Sequence, residues 1–323
     1  MKLLEVKNLK TYFNISSGQV KAVDDVSFDL DYGESLGLVG ESGCGKTTSA
    51  LSIVQLLPKE GKIYGGEILL EGVNLAELND GEMQKYRWND ISLVFQGAMN
   101  ALNPVMRIGD QIAEAIVLHQ KVSMKEALIK AGDILELVEM PRDRLMNYPH
   151  EFSGGMKQRV MIAMALACDP KIIIGDEPTT ALDVMVQAQI LNLIEKLRKE
   201  FNMGFILITH DLSILTETCD KIAIMYAGKI VEIAESEELF KKPVHPYTNK
   251  LIGCFPDMNG ERKLKEGIEG APPNMLELPS GCLFAPRCEF ASDICHQSMP
   301  ETVEVGPNHY VACHKWEEMI NGQ

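Results

Sequence analysis

No apolar run in this chain approaches the ~18–20 residues that a helix needs to cross a bilayer. Its first ten residues, MKLLEVKNLK, hold no long apolar centre of the kind a signal peptide carries. The expectation is a cytoplasmic chain that reaches a membrane only through a partner protein. Basic residues are in short supply, with 31 Lys and Arg against 46 Asp and Glu and a formal charge of -15. That argues against nucleic acid as the main ligand, because phosphate backbones are held by clustered cations. Sustained heptads are missing as well, which excludes a long coiled coil. What is present suits one large domain plus an appendage, since 323 residues at 46% apolar can build a sizeable core.

The chain is organised around Gly40 to Thr48, GESGCGKTT, which follows an apolar strand-like segment (35–39) and precedes a helix-like one (47–57). The pattern G-x-x-x-x-G-K-[ST] is a phosphate loop. Gly40, Gly43 and Gly45 let the backbone turn its N–H groups, including those of Ser42, Cys44 and Thr48, toward phosphate oxygens at a helix N-terminus. Lys46 is placed to reach the β- and γ-phosphates, and the Thr47 hydroxyl to sit on Mg²⁺.

Residues 3–9 and 20–30 partly alternate polar and apolar, as half-buried antiparallel strands do. Between them Tyr12 and Phe13 precede the turn-like NISSG, in a place that suits either core packing or stacking on a base. Further strands are expected at 65–72 and 91–95, and Gln96 stands at the carboxyl end of the latter, where ligands of open α/β sheets bind. Helical spacing fills 108–140. Ser153, Gly154, Gly155 and Met156 then open another helix and make a second potential anion site. One fold seldom needs two such loops for one nucleotide, so the second is expected to serve a nucleotide held by another subunit.

The strand-like KIIIGD (171–176) ends in Asp176, with Glu177 next to it. With a phosphate loop upstream, Asp176 is expected to hold the Mg²⁺ shell and Glu177 to polarise the attacking water. Asp183 stands at an N-cap-like place before a helix at 184–201, and His210 follows a strand at 205–209.

In this order the motifs resemble the nucleotide-binding subunit of an ABC transporter over roughly residues 1–240. The resemblance implies an α/β fold: a P-loop, RecA-like ABC ATPase core with an antiparallel β subdomain and a helical subdomain at about 100–168, followed at about 246 by a small cysteine-rich C-terminal module. It makes Gly40–Thr47 the Walker A motif, Gln96 the start of the glutamine loop, Ser153–Met156 the signature, and Ile172–Asp176 the Walker B motif. Glu177 becomes the catalytic glutamate, Asp183 part of the D-loop, His210 the switch histidine, and Phe13, with or without Tyr12, the aromatic on adenine. Mg²⁺ would be held through Thr47, Gln96 and Asp176. Two cassettes would sandwich two ATP molecules head to tail, each site taking the signature from the other subunit. A soluble repair ATPase of this superfamily would need a coiled-coil insertion, and a ribosome-acting one two cassettes in one chain.

Phe152 and Met156 replace the Leu and Gln of the commonest signature, LSGGQ. These replacements, FQGAMNALNPV (95–105), HPYT (245–248) and the tail PSGCLFAPRCEFASDIC with VGPNHYVACH resemble the branch that imports dipeptides and oligopeptides, which also contains nickel and oligosaccharide importers. The branch implies a paralogous ATPase partner, two membrane permeases and an extracytoplasmic binding protein. Of eight cysteines, Cys44, Cys168, Cys219 and Cys254 are scattered, whereas Cys282, Cys288, Cys295 and Cys313 crowd the last 42 residues as C-x5-C-x6-C-x17-C. In a reducing compartment that crowding suggests metal ligation, by Zn²⁺ or a [4Fe-4S] cluster. The spacing lacks the C-x2-C knuckles of zinc ribbons, and the branch resemblance favours the cluster. His296 and His314 lie beside these cysteines and could replace one of them, but surface or hydrogen-bonding histidines are the expected reading. A segment so short and turn-rich is expected to draw much of its folding free energy from such a centre.

Overall fold

In the computed structural model the alternating residues at the start of the chain form two 14-residue strands, β1 (Lys2–Ile15) and β2 (Gly18–Asp31). Residues 2–95, 97, 101–180, 182–254 and 267–322 are described. Both strands outrun their expected bounds, and β1 does so because it is bulged: its pairing with β4 (Gly61–Leu70) shifts register between Lys7 and Thr11. Asn8 takes a φ of 49°, and the alternation resumes beyond it with Thr11 fully buried. Strand β3 (Ser35–Val39) is buried throughout and leads into helix α1 (Lys46–Ile53), shorter than the 47–57 expected. The helix stops where Gln55 turns left-handed (φ 50°), three residues before Pro58.

The chain continues through β5 (Val73–Asn74), α2 (Asp80–Met83), β6 (Ile91–Val94), α3 (Ile108–Gln120) and α4 (Met124–Leu137). Lys121 in the left-handed region ends α3, and a reciprocal Ser123–Glu126 capping box starts α4. Then follow α5 (Gly154–Leu166), β7 (Ile172–Asp176), α6 (Val184–Phe201), β8 (Gly204–Thr209) and α7 (Leu212–Thr218). The chain ends with β9 (Lys221–Tyr226), β10 (Lys229–Glu235), α8 (Ser236–Lys241), α9 (Pro246–Gly253), α10 (Asp293–Gln297), β11 (Thr302–Gly306), β12 (His309–Ala312) and α11 (Trp316–Asn321).

Two bodies result. Met1–Leu3, Leu30–Ser35 and Glu77–Ile208 make the first; Leu4–Asp29, Leu36–Ala76 and Thr209–Gln323 make the second. In the first, β6, β7 and β8 pair in parallel, with Leu93 opposite Ile174 and Ile174 opposite Ile206. Parallel strands are covered on both faces, and accordingly every residue of β7 and β8 is buried. Helices α3, α4 and α5 pack on one another, and Ile112, Ile116, Ala131, Leu135 and Ile162 along them are nearly inaccessible.

In the second body β1 and β4 are antiparallel within the order β2-β1-β4-β5, and a further run of strands has the order β3-β9-β10-β12-β11. There β3 and β9 run parallel, with Leu38 opposite Ala223, and the remaining pairs are antiparallel. The tail thus extends a sheet: Val311 of β12 faces Glu232 of β10 and is fully buried. It also brings Phe284, 1% exposed, against Tyr226 and Tyr247, with ring centroids 5.3 Å away in both cases. This changes the expectation that a bound centre supplies much of the tail's folding free energy. Three large apolar side chains at ~1.5–3 kcal/mol each already give the tail a share in the core of the second body.

Candidate nucleotide site

In the second body the loop from β3 to α1 has the geometry its glycines require. Gly43 and Gly45 have φ of 78° and 109°, and a Cβ on Gly45 would strike the carbonyl oxygen of Ala22. Helix α1 starts at Lys46 with no side-chain cap on its N-terminus and no acidic residue in its first turn. Its free N–H groups and positive dipole end are left to an anion from outside the helix, which fits a nucleotide phosphate. Ser42, Gly43 and Thr47 are exposed on this face and Thr48 is half-buried, whereas Cys44 is 4% exposed and packs inward. Burial pushes the Cys44 thiol up, against the opposing pull of Lys46.

Lys46 is 7% exposed, and its ammonium donates to the carbonyls of Gly40 (2.7 Å) and Glu41 (3.1 Å). These bonds stretch its side chain along the inside of the loop. A lysine so placed offers a positive charge to whatever the loop encloses, at little further cost in side-chain entropy.

Tyr12 and Phe13 follow one another on β1 and so point to opposite faces. The Tyr12 hydroxyl donates to Asp24 at 2.6 Å, its ring stacks on Tyr64 at 5.0 Å, and Lys21 lies over it. Phe13 is half-buried beside Gly61, where a Cβ would meet its ring at 2.8 Å, and shares a face with Thr11, whose hydroxyl meets that of Ser52 in α1. His210, also of this body, is exposed just beyond β8.

In the first body β7 ends on Asp176, 3% exposed, and Glu177 follows with a left-handed φ of 48°. The Glu177 N–H donates to the Ile208 carbonyl at 2.9 Å, and its carboxylate accepts from the Thr180 hydroxyl at 3.0 Å. Asp183 caps α6 by accepting from the Val186 N–H, and Ser153 caps α5 by accepting from the Met156 N–H. The two caps are neighbours, because a Cβ on Gly155 would come within 2.6 Å of a Val186 methyl. The start of α5 and the first turn of α6 are thereby packed together. Phe152 is 6% exposed and is a core residue here, while Ser153 is exposed. Gln96 lies outside the described residues.

Cys282, Cys288, Cys295 and Cys313 line one cavity with His245, Phe284, Phe290, His314 and Lys315; His296 does not line it. Burial raises the Cys282 and Cys288 thiols and pushes Cys313 up to about 12, and the neighbouring sulfurs add to the Cys313 shift. His314 is engaged through Nε2 with the Ser298 carbonyl at 2.9 Å. Among the described residues no three of these sulfurs lie within 4.8 Å of one another. Around one zinc with bonds of ~2.3 Å, tetrahedral sulfurs stand roughly 3.8 Å apart.

Sequence reasoning passed over two acids, Glu41 within the loop and Glu232 before α9. The Glu41 carboxylate accepts from Arg287, and its N–H donates to the Tyr247 hydroxyl. Glu232, fully buried, gathers Val244, His245 and His309. HPYT and APRC were visible as strings, but nothing in their spacing pointed to position 41 or 232.

A phosphate loop between a buried strand and a helix, a strand ending in paired acids, and a capped serine-glycine loop packed on the start of α6 define a P-loop ATPase of the ABC type. Comparison bears this out. Residues 23–180 match the family described as ABC transporter, and residues 231–295 the oligopeptide/dipeptide transporter C-terminal region. The chain is 48% identical to the "Probable peptide ABC transporter ATP-binding protein y4tR" of Sinorhizobium fredii, over 99% of this chain and 96% of that one. It is 47% identical to the oligopeptide transport ATP-binding protein OppD of Escherichia coli, over 97% and 93%. A solved post-hydrolysis state of the ATP-binding cassette MJ0796, bound to ADP and Pi, superposes with a TM-score of 0.65 at 28% identity, over 72% of this chain and 98% of that one. The chain belongs to the ATP-binding subunits of oligopeptide and dipeptide ABC transporters.

Proposed function

We infer that this chain is the ATP-hydrolysing subunit that powers uptake of dipeptides or oligopeptides through an ABC importer. The observation that carries the peptide assignment is the match at residues 231–295 to the oligopeptide/dipeptide transporter C-terminal region, which is separate from the general ABC transporter match at 23–180. ATP is held at the phosphate loop by backbone N–H groups from Gly40 to Thr48 and by Lys46, with Phe13 on the adenine face. Thr47, Gln96 and Asp176 would hold Mg²⁺, which when bound would neutralise phosphate charge. Glu177 orients the attacking water, and His210 keeps water and γ-phosphate in line. Ser153, Gly154, Gly155 and Met156, with Asp183, serve the nucleotide of the facing subunit.

That facing subunit is a paralogous ATPase, and the pair works at the cytoplasmic face of the membrane beneath two permeases fed by an extracytoplasmic binding protein. ATP-driven closure of the pair moves the permeases, and hydrolysis reopens it. Residues 1–245 form the nucleotide-binding domain, and 246–323 a peptide-importer addition. Its four cysteines hold a structural centre, a [4Fe-4S] cluster in preference to Zn²⁺, because their spacing lacks the C-x2-C knuckles of zinc ribbons.

In the assembled transporter Glu177→Gln is expected to cut ATP turnover at least about a hundredfold while ATP stays bound; normal turnover would sink the assignment. Anaerobic purification should give a broad band near ~400 nm with iron and sulfide, lost on replacing any of the four cysteines. Stoichiometric zinc without colour would replace the cluster and leave the ATPase untouched.

A further inference from the structure

Arg287 is 5% exposed at its side chain and has a hydrogen-bond acceptor for every N–H it carries. Its two terminal nitrogens meet the two Glu41 oxygens at 2.7 and 2.9 Å. Tyr226 accepts from it at 3.2 Å, and the carbonyls of Ile268, Glu269 and Gly270 at 3.2, 2.8 and 3.3 Å. Its guanidinium lies over the Tyr226 and Phe284 rings at 5.8 and 6.0 Å. Burial of Phe284 among aromatic rings would fasten the tail without any charge, so an arginine this completely engaged calls for another reason.

That reason lies on its partner. Glu41 is the second residue of the phosphate loop and is held at three points. Arg287 takes its carboxylate, the Tyr247 hydroxyl accepts from its N–H at 3.1 Å, and its carbonyl receives the Lys46 ammonium at 3.1 Å. Two of the three come from residues beyond 245. A planar fork on a carboxylate fixes orientation as well as distance, and in a nearly dry setting salt screens it little. We propose that Arg287 is a positioning residue of the phosphate loop: it fixes Glu41, and through the Glu41 carbonyl the Lys46 ammonium, so that the cysteine-rich tail sets the loop's affinity for ATP.

The proposal rests on the loop being the ATP site, and the test keeps the two apart. Binding of a non-hydrolysable ATP analogue to the full chain is measured by calorimetry for wild type, Lys46→Ala, Arg287→Gln, Arg287→Lys, Glu41→Gln and the Arg287→Gln/Glu41→Gln double variant, with urea midpoints alongside. Arg287→Gln and Glu41→Gln should each weaken binding about tenfold. The double variant should be no weaker than the worse single one, and Arg287→Lys should recover part of the loss. Glu41→Gln leaves the tail's own residues in place, so it carries the test if Arg287→Gln unfolds. Unchanged affinity in Glu41→Gln, or in a folded Arg287→Gln whose urea midpoint alone has dropped, overturns the proposal, as do additive losses in the double variant. Equal, negligible binding by wild type and Lys46→Ala overturns the ATP-site reading itself, and this proposal with it.

Discussion

Removing the Glu232 carboxylate should be among the most damaging single changes outside the nucleotide site. Glu232 is fully buried in β10, and its oxygens accept from the Val244 N–H (2.7 Å), the His245 N–H (2.9 Å) and His309 Nε2 (2.8 Å). Both oxygens are already acceptors for backbone donors, so Nε2 is the nitrogen that carries the His309 proton. Glu232→Ala leaves three buried donors without a partner. At ~1–3 kcal/mol for each, the loss is about 3–9 kcal/mol, set against a total stability of roughly 5–15 kcal/mol. Glu232→Gln keeps one oxygen but turns an NH₂ toward a donor, for about 2–3 kcal/mol. The damage has a place: the turn into α9 and strand β12 should both loosen. Urea unfolding gives the magnitude, and amide exchange by mass spectrometry over peptides spanning 229–254 and 302–314 gives the place. An alanine variant within about 1 kcal/mol of wild type, with unchanged exchange in both peptides, would refute the reasoning.

Acid should act on the same region. Burial pushes His245 down to about 4, with Glu232 opposing only weakly. The unfolded chain therefore takes up a proton near pH ~6.5 that the folded chain refuses, and stability falls as pH drops, by about 2 kcal/mol from pH ~7.5 to ~5. His245→Asn keeps an acceptor for the Tyr247 N–H and has nothing to titrate. Urea unfolding at the two pH values should show that difference shrinking by ~2 kcal/mol, and an unaltered difference would contradict the account. At the base end of the site, Phe13→Ala should weaken ATP binding by about 1–3 kcal/mol, the worth of stacking on one base, while Tyr12→Ala leaves it nearly unchanged; the reverse order would give the adenine face to Tyr12. Gly155→Ala drives a methyl toward Val186, 2.6 Å from the ideal Cβ. It should lower turnover of the assembled transporter about tenfold or more without changing ATP affinity of the isolated chain, and equal turnover would show that the signature helix shifts freely.

The order of motifs was legible because each is local: a loop, its glycines and the helix it opens lie within ten residues, and short-range rules decide their geometry. The same rules placed α6 at its observed bounds, since Asp183 caps it and Asn202, left-handed at φ 52°, ends it. They failed where a distant partner decides. β1 looked like a short strand because its alternation breaks at Asn8, and only Gly66 of β4, lying against the Asn8 carbonyl, shows why the chain can bulge there and continue. Phe152 looked like a departure from a signature and is a packed core side chain. Arg287 is separated from Glu41 by 246 positions, and no periodicity connects them.

Glu177 shows local preference and chemistry pulling apart. A glutamate with φ at 48° sits where a side chain is disfavoured, at a cost on the order of 1 kcal/mol or more. Glycine would relieve that cost and remove the carboxylate. The backbone is held in place by the Ile208 carbonyl on one side, and the carboxylate by the Thr180 hydroxyl on the other, two bonds of 2.9 and 3.0 Å that fix both ends of the residue. The turn also takes the chain out of strand geometry, in which Asp176 and Glu177 would point to opposite faces. Left-handed backbone immediately after a buried strand therefore does what alternation cannot, and frees the second carboxylate from the side of the sheet that the first would otherwise dictate.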